Sequence, residues 1–541
     1  MNRTARLLLL CPLWGWLGAV PSSTEAALNQ AGNAAVTVSV SDYGRDVAAF
    51  RDAAAELARR GGGVLLIPGG AYVFDSRDLN RPIMLPGNVE VRGNGAKITL
   101  VGDAVSASVF AAHDASNILI KDLDVTGNSH ALANSASGAF FQYTLTEAAR
   151  ASSSGIRLSG IRLDNFAAER WVSFINENAA GHAIRDVQIA KVEIVSRRGN
   201  SIAPSNIAVW AHGIVLMGYK GPITGVRITD FKADAAFIKS GIGILKRVSD
   251  VRIERAAIRS AGRDGAVDDA GGYAIALYGG PGEVSDVSIV DAVLVNPRSA
   301  GIYAAGAEKI SITDALISGQ SDVRLETLPK GALVFNGGRN LKIIGGRLSG
   351  NSVDVAIVAR AMDHGPMGVV IDGLQTAGAR IASIILNPGI GDGPVGDVAI
   401  RHSQLNGAGR ALQVLNGISP SRVIAPLSIE NSTLTSSTTN GIELSPYREV
   451  RVSGYVFRDL RISAKGIAVA APSLIGDIAV SEMDVTGLGP DSVGFLLDPR
   501  LRSAMWSGVR IKQVDRSRIA PGRAIVQSTR PNSSFINVSL Q

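Results

Sequence analysis

The sequence predicts an all-β fold, a single-stranded parallel β-helix of about 15 coils with an N-terminal capping helix. Two observations carry the coils. A short alternating apolar motif recurs, often as Asp-Val-x-Ile: Asp186–Ile189, Asp250–Ile253, Asp286–Ile289, Asp397–Ile400, and Asp477–Val480 as a variant. Its first inward residue recurs at Val89, Ile118, Ile156, Val187, Val226, Val251, Val287, Ile310, Leu341, Val369, Val398, Leu427, Val452, Ile478 and Val509, with gaps of 23 to 39 residues around a mean of 30. That is the length of one coil, whose strands point alternate side chains into an interior that only stacking can close. A third observation carries the helix: Val47, Phe50, Ala54, Leu57 and Ala58 share one face at helical spacing just ahead of the first coil.

Taken in order, residues 1–26 read as a signal peptide. Arg3 and Arg6 precede the apolar stretch Leu7–Val20, and Thr24-Glu25-Ala26 puts small residues at the positions a signal peptidase reads. The stretch is shorter than the ~20 residues a bilayer span needs. The single cysteine, Cys11, lies within it, so the mature chain depends on packing rather than disulfides. A polar lead, 27–45, follows. Asp46–Arg60 reads as one helix, ended by Gly61-Gly62-Gly63, since glycine accepts the left-handed conformation at a helix C-terminus. Val64–Ile67 is the first strand, stopped by Pro68-Gly69-Gly70, and the β-helix domain extends over 46–541 with its cap at 46–75.

Composition supports one stacked domain. With 46% hydrophobic and 19% charged residues the chain is too apolar for disorder. Its 61 glycines have no collagen period. The Leu-x-x-Leu-x-Leu signature of leucine-rich repeats is absent, and a propeller would need ~40–45 residues per blade. Fifteen coils at about 4.8 Å each make a rod of roughly 70 Å.

The segment Gly61-Gly62-Gly63-Val64-Leu65-Leu66-Ile67-Pro68-Gly69-Gly70-Ala71-Tyr72, following the helix, resembles the N-terminal cap of the pectate-lyase-like superfamily of right-handed β-helices. The resemblance implies that the helix caps the open end of the stack, that the coil is right-handed, and that the protein has a role on polysaccharides, as lyase, hydrolase, epimerase or binding protein. It does not choose among them.

Chemistry is expected where the coils depart from regularity. The longest, Ile118–Ile156, Val187–Val226 and Val251–Val287, place insertions on loops that wall a groove. Trp171, Trp210, Tyr143, Tyr219, Tyr273 and Tyr278 fall in this stretch, with Tyr303 one coil on, and aromatic faces stack on sugar rings. The strands His212–Leu216, Ser240–Ile244, Tyr273–Leu277 and Ala300–Tyr303 form a ladder. If each isoleucine faces inward, Val215, Gly243, Ala276 and Tyr303 face outward and leave a shallow floor. Lys220, Lys239, Lys246, Arg247, Arg263, Asp264, Asp268 and Asp269 flank it.

Two reactions suit such a floor. β-Elimination from a uronate needs a cation on the carboxylate and a base for the adjacent proton: Lys239, Lys246 and Arg263 as cations, Lys246 or Tyr278 as base. Hydrolysis needs paired carboxylates, for which Asp268 and Asp269 are adjacent. They resemble the Asp-Asp pair of polygalacturonase-like hydrolases, but the Asn-Thr-Asp and Gly-His-Gly segments of that family are missing. The candidate substrate-binding residues are Trp210, His212, Tyr219, Lys220, Lys239, Tyr273 and Tyr303. Asp268 and Asp269 also read as an ordinary exposed turn, the cations as a solvated face, and His212 as a structural histidine. No histidine pair has metal-ligand spacing, so no metal or cofactor is expected; calcium on Asp268 and Asp269 is left open. The net charge of +7 suits an acidic polysaccharide, with no nucleic acid or membrane span. The expectation is an exported monomer, secreted or periplasmic, that cleaves an acidic polysaccharide by β-elimination. A glycoside hydrolase and a non-catalytic glycan-binding envelope protein are the alternatives.

Overall fold

The computed structural model describes residues 36–104, 107–127, 138–165, 170–195, 212–234, 240–262, 271–321, 330–359, 367–389, 395–415, 423–444, 450–464, 467–471, 474–486, 493–497, 503–507, 510–511, 534–536 and 539–540. The signal peptide 1–26 lies outside them, as do 128–137, 196–211 and 263–270, the loops expected to wall a groove. Among the described residues no helix is long and apolar enough to cross a membrane.

The chain winds as a parallel β-solenoid. Each regular turn supplies one long and one short strand to a 28-stranded sheet and one strand to a second sheet of 15. The turn around 226 shows the pattern: Ile223–Thr229, then Lys232–Asp234, then Ser240–Leu245 across the core. The strands pair in parallel with the next turn, so backbone hydrogen bonds run along the rod.

The predicted register holds over most of the length. Val89, Ile118, Ile156, Val187, Val226, Val251, Val287, Ile310, Leu341, Val369, Val398 and Leu427 form one unbroken column of directly opposed residues. Beyond it the expectation slips. Leu427 faces Tyr455 rather than Val452, and the pairing of Val450–Ala464 with the next turn shifts register between Val452 and Tyr455. Ile478 returns to the column opposite Tyr455 and then faces Ala504; Val509 lies outside the described residues.

The recurring aspartate has a backbone explanation. Asp186, Asp250, Asp286 and Asp397, each just before its column residue, have φ of 50°, 52°, 54° and 65°. Asn88, Asn117, Lys309 and Asn340 occupy the same place with φ of 54–58°. Asp and Asn tolerate this left-handed region better than most side chains, so a carboxylate or amide marks the bend in most coils, and Gly155, Gly225 and Gly368 fill the place in others. Asn117 Nδ2 also donates to Asn88 Oδ1 at 2.9 Å.

The cap is a helix over Val47–Arg59. Its N-cap Asp46 accepts a hydrogen bond from the Ala49 amide at 2.8 Å, satisfying one of the orphan donors of the first turn. Val47, Phe50, Ala54 and Leu57 are buried as expected, while Ala58 is exposed and Ala49 and Ala53 are buried in addition. The helix packs on Thr37–Ser39, Gly63–Leu66 and Ile83–Met84. Phe50 meets Tyr72 and Phe74 edge-on, with centroids 5.4 and 4.9 Å away. Gly63 has φ +136°, and a Cβ there would lie 2.3 Å from the Val36 carbonyl, so the entry to the first coil requires glycine.

Candidate functional site

The predicted ladder of similar strands is present. Ile214, Ile242, Ile275 and Ile302 stand opposite one another and are fully buried. Val215, Gly243, Ala276 and Tyr303 form the outward column, as alternation requires. The column is not an open floor, however. Val215, Ala276 and Tyr303 are at most 1% exposed, and Gly243 is buried. Tyr273, Ala276, Ala300, Tyr303, Val334 and Ala356 belong to a second apolar cluster on this outer face. Alternation dictates which way a side chain points, not whether the folded chain covers it.

Several expected sugar contacts change role for that reason. Tyr273 stacks on Tyr303 with centroids 4.6 Å apart and planes 18° off parallel, and both are buried. Asn336 Nδ2 donates to the Tyr303 hydroxyl at 3.1 Å. Neither face is open to a sugar. Trp171 and Tyr143 are core residues as well. Tyr143 donates its hydroxyl to the Ala115 carbonyl at 2.7 Å, and burial pushes its pKa up to about 12. His212 is buried with Nδ1 on Ser240 Oγ. Its ring occupies the space beside Gly243, where a Cβ would come within 3.1 Å of Nδ1. His212 is therefore a packed residue of the outer cluster.

What remains exposed gathers at one corner, where strands of the second sheet turn back toward the first. Tyr219 is 52% exposed. Lys246 extends over its ring with Nζ 5.7 Å from the centroid, within cation–π range. Arg247 donates to the Lys220 carbonyl, and Lys220 pairs with Glu147 two turns earlier. That contact holds the Glu147 carboxyl below its usual range and the Lys220 ammonium above its own. The pair is solvated, and its contribution to stability is small. The Lys246 amide donates to the Tyr278 carbonyl at 2.8 Å, and half-buried Tyr278 lies 5.1 Å from the Tyr303 ring centroid.

The backbone of this corner is unusual. Lys246 and Arg247 are consecutive and both left-handed, with φ of 50° and 42°. Neither residue type favours that region, and each costs roughly 1–2 kcal/mol there relative to glycine. The corner closes only because the neighbouring residue is Gly218: a Cβ there would lie 2.6 Å from the Arg247 carbonyl and 2.8 Å from that of Lys246.

The structure thus brings Tyr219, Lys220, Lys246 and Arg247 together, with Tyr278 behind them. Trp210, Lys239, Arg263, Asp264, Asp268 and Asp269 lie outside the described residues. Among the described residues no three His, Cys, Asp or Glu side chains converge as metal ligands would.

Two features escaped the sequence reading. A polar groove opens among Asn431, Thr433, Asp459, Arg461, Glu482 and Asp484, on three successive turns. Asp354 is wholly buried inside the solenoid, its Oδ1 accepting from Asn351 Nδ2 at 2.8 Å. The signal for the second was plain: a lone aspartate within the apolar run Val353–Val358.

No family model and no curated protein matches the chain. Among solved structures it is similar to the A-module of a mannuronan C-5 epimerase from Azotobacter vinelandii, at 14% identity over 88% of this chain and 99% of that one, with a TM-score of 0.41. It is similar to the catalytic domain of a GH87 α-1,3-glucanase in complex with nigerose, at 13% identity over 76% of this chain and 62% of that one, with a TM-score of 0.41. A tailspike protein of E. coli bacteriophage HK620, in complex with a pentasaccharide, matches at 11% identity over 93% and 80% of the two chains, with a TM-score of 0.39. The chain spans less than two thirds of the glucanase domain it matches. At these values no residue role passes from any of them to this chain.

Proposed function

We propose that this protein acts on an acidic polysaccharide at the corner formed by Tyr219, Lys220, Lys246 and Arg247, and that the reaction is β-elimination from a uronate. One observation carries the reading: Lys246 and Arg247 hold successive left-handed positions where glycine would be less strained, and they present cations beside an exposed tyrosine ring. Successive strained residues at an exposed, charged, aromatic corner are the kind of feature that clusters at ligand clamps. The resemblance of the cap segment to the pectate-lyase-like superfamily agrees with it.

In the proposed reaction the cations neutralise the uronate carboxylate, which acidifies the proton on the adjacent ring carbon. A base, Lys246 or Tyr278, removes that proton. The electron pair forms a double bond to the neighbouring carbon, and the glycosidic oxygen leaves with its bonding pair and is then protonated. With Lys246 as base, Arg247 and Lys220 carry the neutralising role; with Tyr278 as base, all three cations do. In this reading residues 1–26 are removed on export and the mature chain works outside the cytoplasm.

The test is incubation with a panel of uronate polymers while following ultraviolet absorbance of the unsaturated product. Absorbance that rises with wild type and falls at least tenfold in Lys246→Ala and Arg247→Ala supports the proposal. Reducing ends appearing without absorbance would replace elimination with hydrolysis. Polymer binding with no product would make the corner a binding site only.

A further inference from the structure

The face of the solenoid built by the short strands changes character along its length. Ahead of Gln375 its outward residues are mostly charged or apolar: Arg162 pairs with Glu193 at 3.3 Å, Lys97, Asp124, Lys232 and Arg347 are charged, and Val293 and Leu316 are 40% and 48% exposed. From the turn containing Gln375 onward they become hydrogen-bonding. Gln375, Gln404, Thr433 and Arg461 stand opposite one another on four successive turns, all exposed. The next residue of this column is Asp484.

Beside it runs a column of left-handed turn residues. The column runs along earlier turns as well, through Asp291, Asp314 and Gly345, and in this stretch passes from Gly373, which offers no side chain, through His402, Asn431, Asp459 and Glu482, with φ of 46–51° for the last four. Where the columns meet, the surface sinks into the groove, with a volume of about 440 Å³. Its lining is almost entirely polar, and Leu460 is the only apolar side chain in it.

This chemistry is opposite to that of the Lys246 corner. Asp459, Glu482 and Asp484 outnumber Arg461, so the groove repels uronates and anionic polymers in general. Carboxylates accept hydrogen bonds from paired hydroxyls, while glutamine amides both donate and accept. The turns repeat every ~4.8 Å, close to the advance of one pyranose ring along an extended glycan. A sugar chain lying along the rod therefore meets a hydrogen-bonding side chain at each turn. Donors and acceptors at a fixed spacing suit a repeating, uncharged, hydroxyl-rich ligand.

We infer that the track from Gln375 to Glu482 is a binding site for a neutral polysaccharide strand running parallel to the rod axis, separate from the corner proposed for uronates. The inference does not rest on the elimination reading.

The test is affinity gel electrophoresis of the full chain in gels containing dextran, laminarin, galactomannan or xyloglucan. Polygalacturonate gels, scored separately, report on the Lys246 corner. At least one neutral polymer should retard the wild type. The double variants Gln375→Ala/Gln404→Ala and Asp459→Asn/Glu482→Gln should each weaken that retardation about tenfold in apparent Kd. The substituted positions are exposed, so circular dichroism should show an unchanged fold. Free migration of wild type in every neutral polymer would overturn the inference. So would full retardation of both double variants in the polymer that retards wild type.

Discussion

Replacing Asp354 by Asn should remove a pH dependence that the interior of the solenoid builds in. Asp354 is 0% exposed. One carboxyl oxygen is satisfied by Asn351, while Oδ2 has no hydrogen bond of normal geometry, although the Ser383 and Thr376 hydroxyls lie near enough to interact with it. Desolvation dominates, and the pKa rises from an ordinary 3.8 to about 7. The sign follows from linkage. The unfolded carboxyl ionises near its ordinary value while the buried one stays protonated, so the unfolded state loses its proton first. Stability is full at acid pH, falls between about pH 4 and 7, and is constant above. A span of about three pH units amounts to roughly 4 kcal/mol. Asn has nearly the same shape and nothing to ionise. At pH 8 the variant should gain up to about 4 kcal/mol, less whatever hydrogen bonding it loses. The measurement is amide hydrogen exchange of Val353–Val358 and Ala382–Asn387 across pH 4–9, corrected for intrinsic rates, because long repeat arrays depart from two-state melting. Wild-type protection in these strands should drop through this window and the variant's should not. Parallel curves for the two proteins would show that Asp354 is ionised in the fold and would refute the reasoning.

The strained corner allows a double readout. Lys246→Gly with Arg247→Gly should raise stability by roughly 1 kcal/mol by relieving the left-handed strain, while retention in polygalacturonate falls; loss of stability would show that the side chains hold the turn. Asp286→Gly should be nearly neutral in chemical denaturation, whereas Asp286→Ala should cost about 1 kcal/mol, because the position needs φ near 54°. Gly63→Ala should cost several kcal/mol, since its Cβ would overlap the Val36 carbonyl; a melting temperature within a degree of wild type would contradict the close approach. Gly243→Ala should disturb the His212–Ser240 contact, with a modest loss of stability and a shifted His212 ring resonance in NMR spectra.

Local chemistry made the winding legible before any coordinates. A β-branched residue that must face inward, preceded by an Asp or Asn that accepts a left-handed bend, is written within three or four residues of chain. That pattern places the column from Val89 to Leu427 without error. It slips at Val452, three positions ahead of Tyr455, because an irregularity of one extra residue between them changes which face the following apolar residues take. The N-cap Asp46, the glycine run and the apolar face of the helix are likewise local signals. The misplaced parts of the site share one cause. Tyr273 and Tyr303 were assigned by direction, yet their environment depends on what packs over the outer face of the second sheet.

By itself, the sequence determined a stack of coils, their register and their capped start, because each rests on interactions between neighbours in the chain or on a period that repeats. Only the tertiary structure decided which outward residues are buried, that Asp354 sits in a dry interior, and that Lys246 meets Tyr219 while Asp459 and Glu482 share a groove. Those residues are 27 and 23 positions apart in the chain. Winding sets them on successive turns, and nothing in the residues between records that they meet.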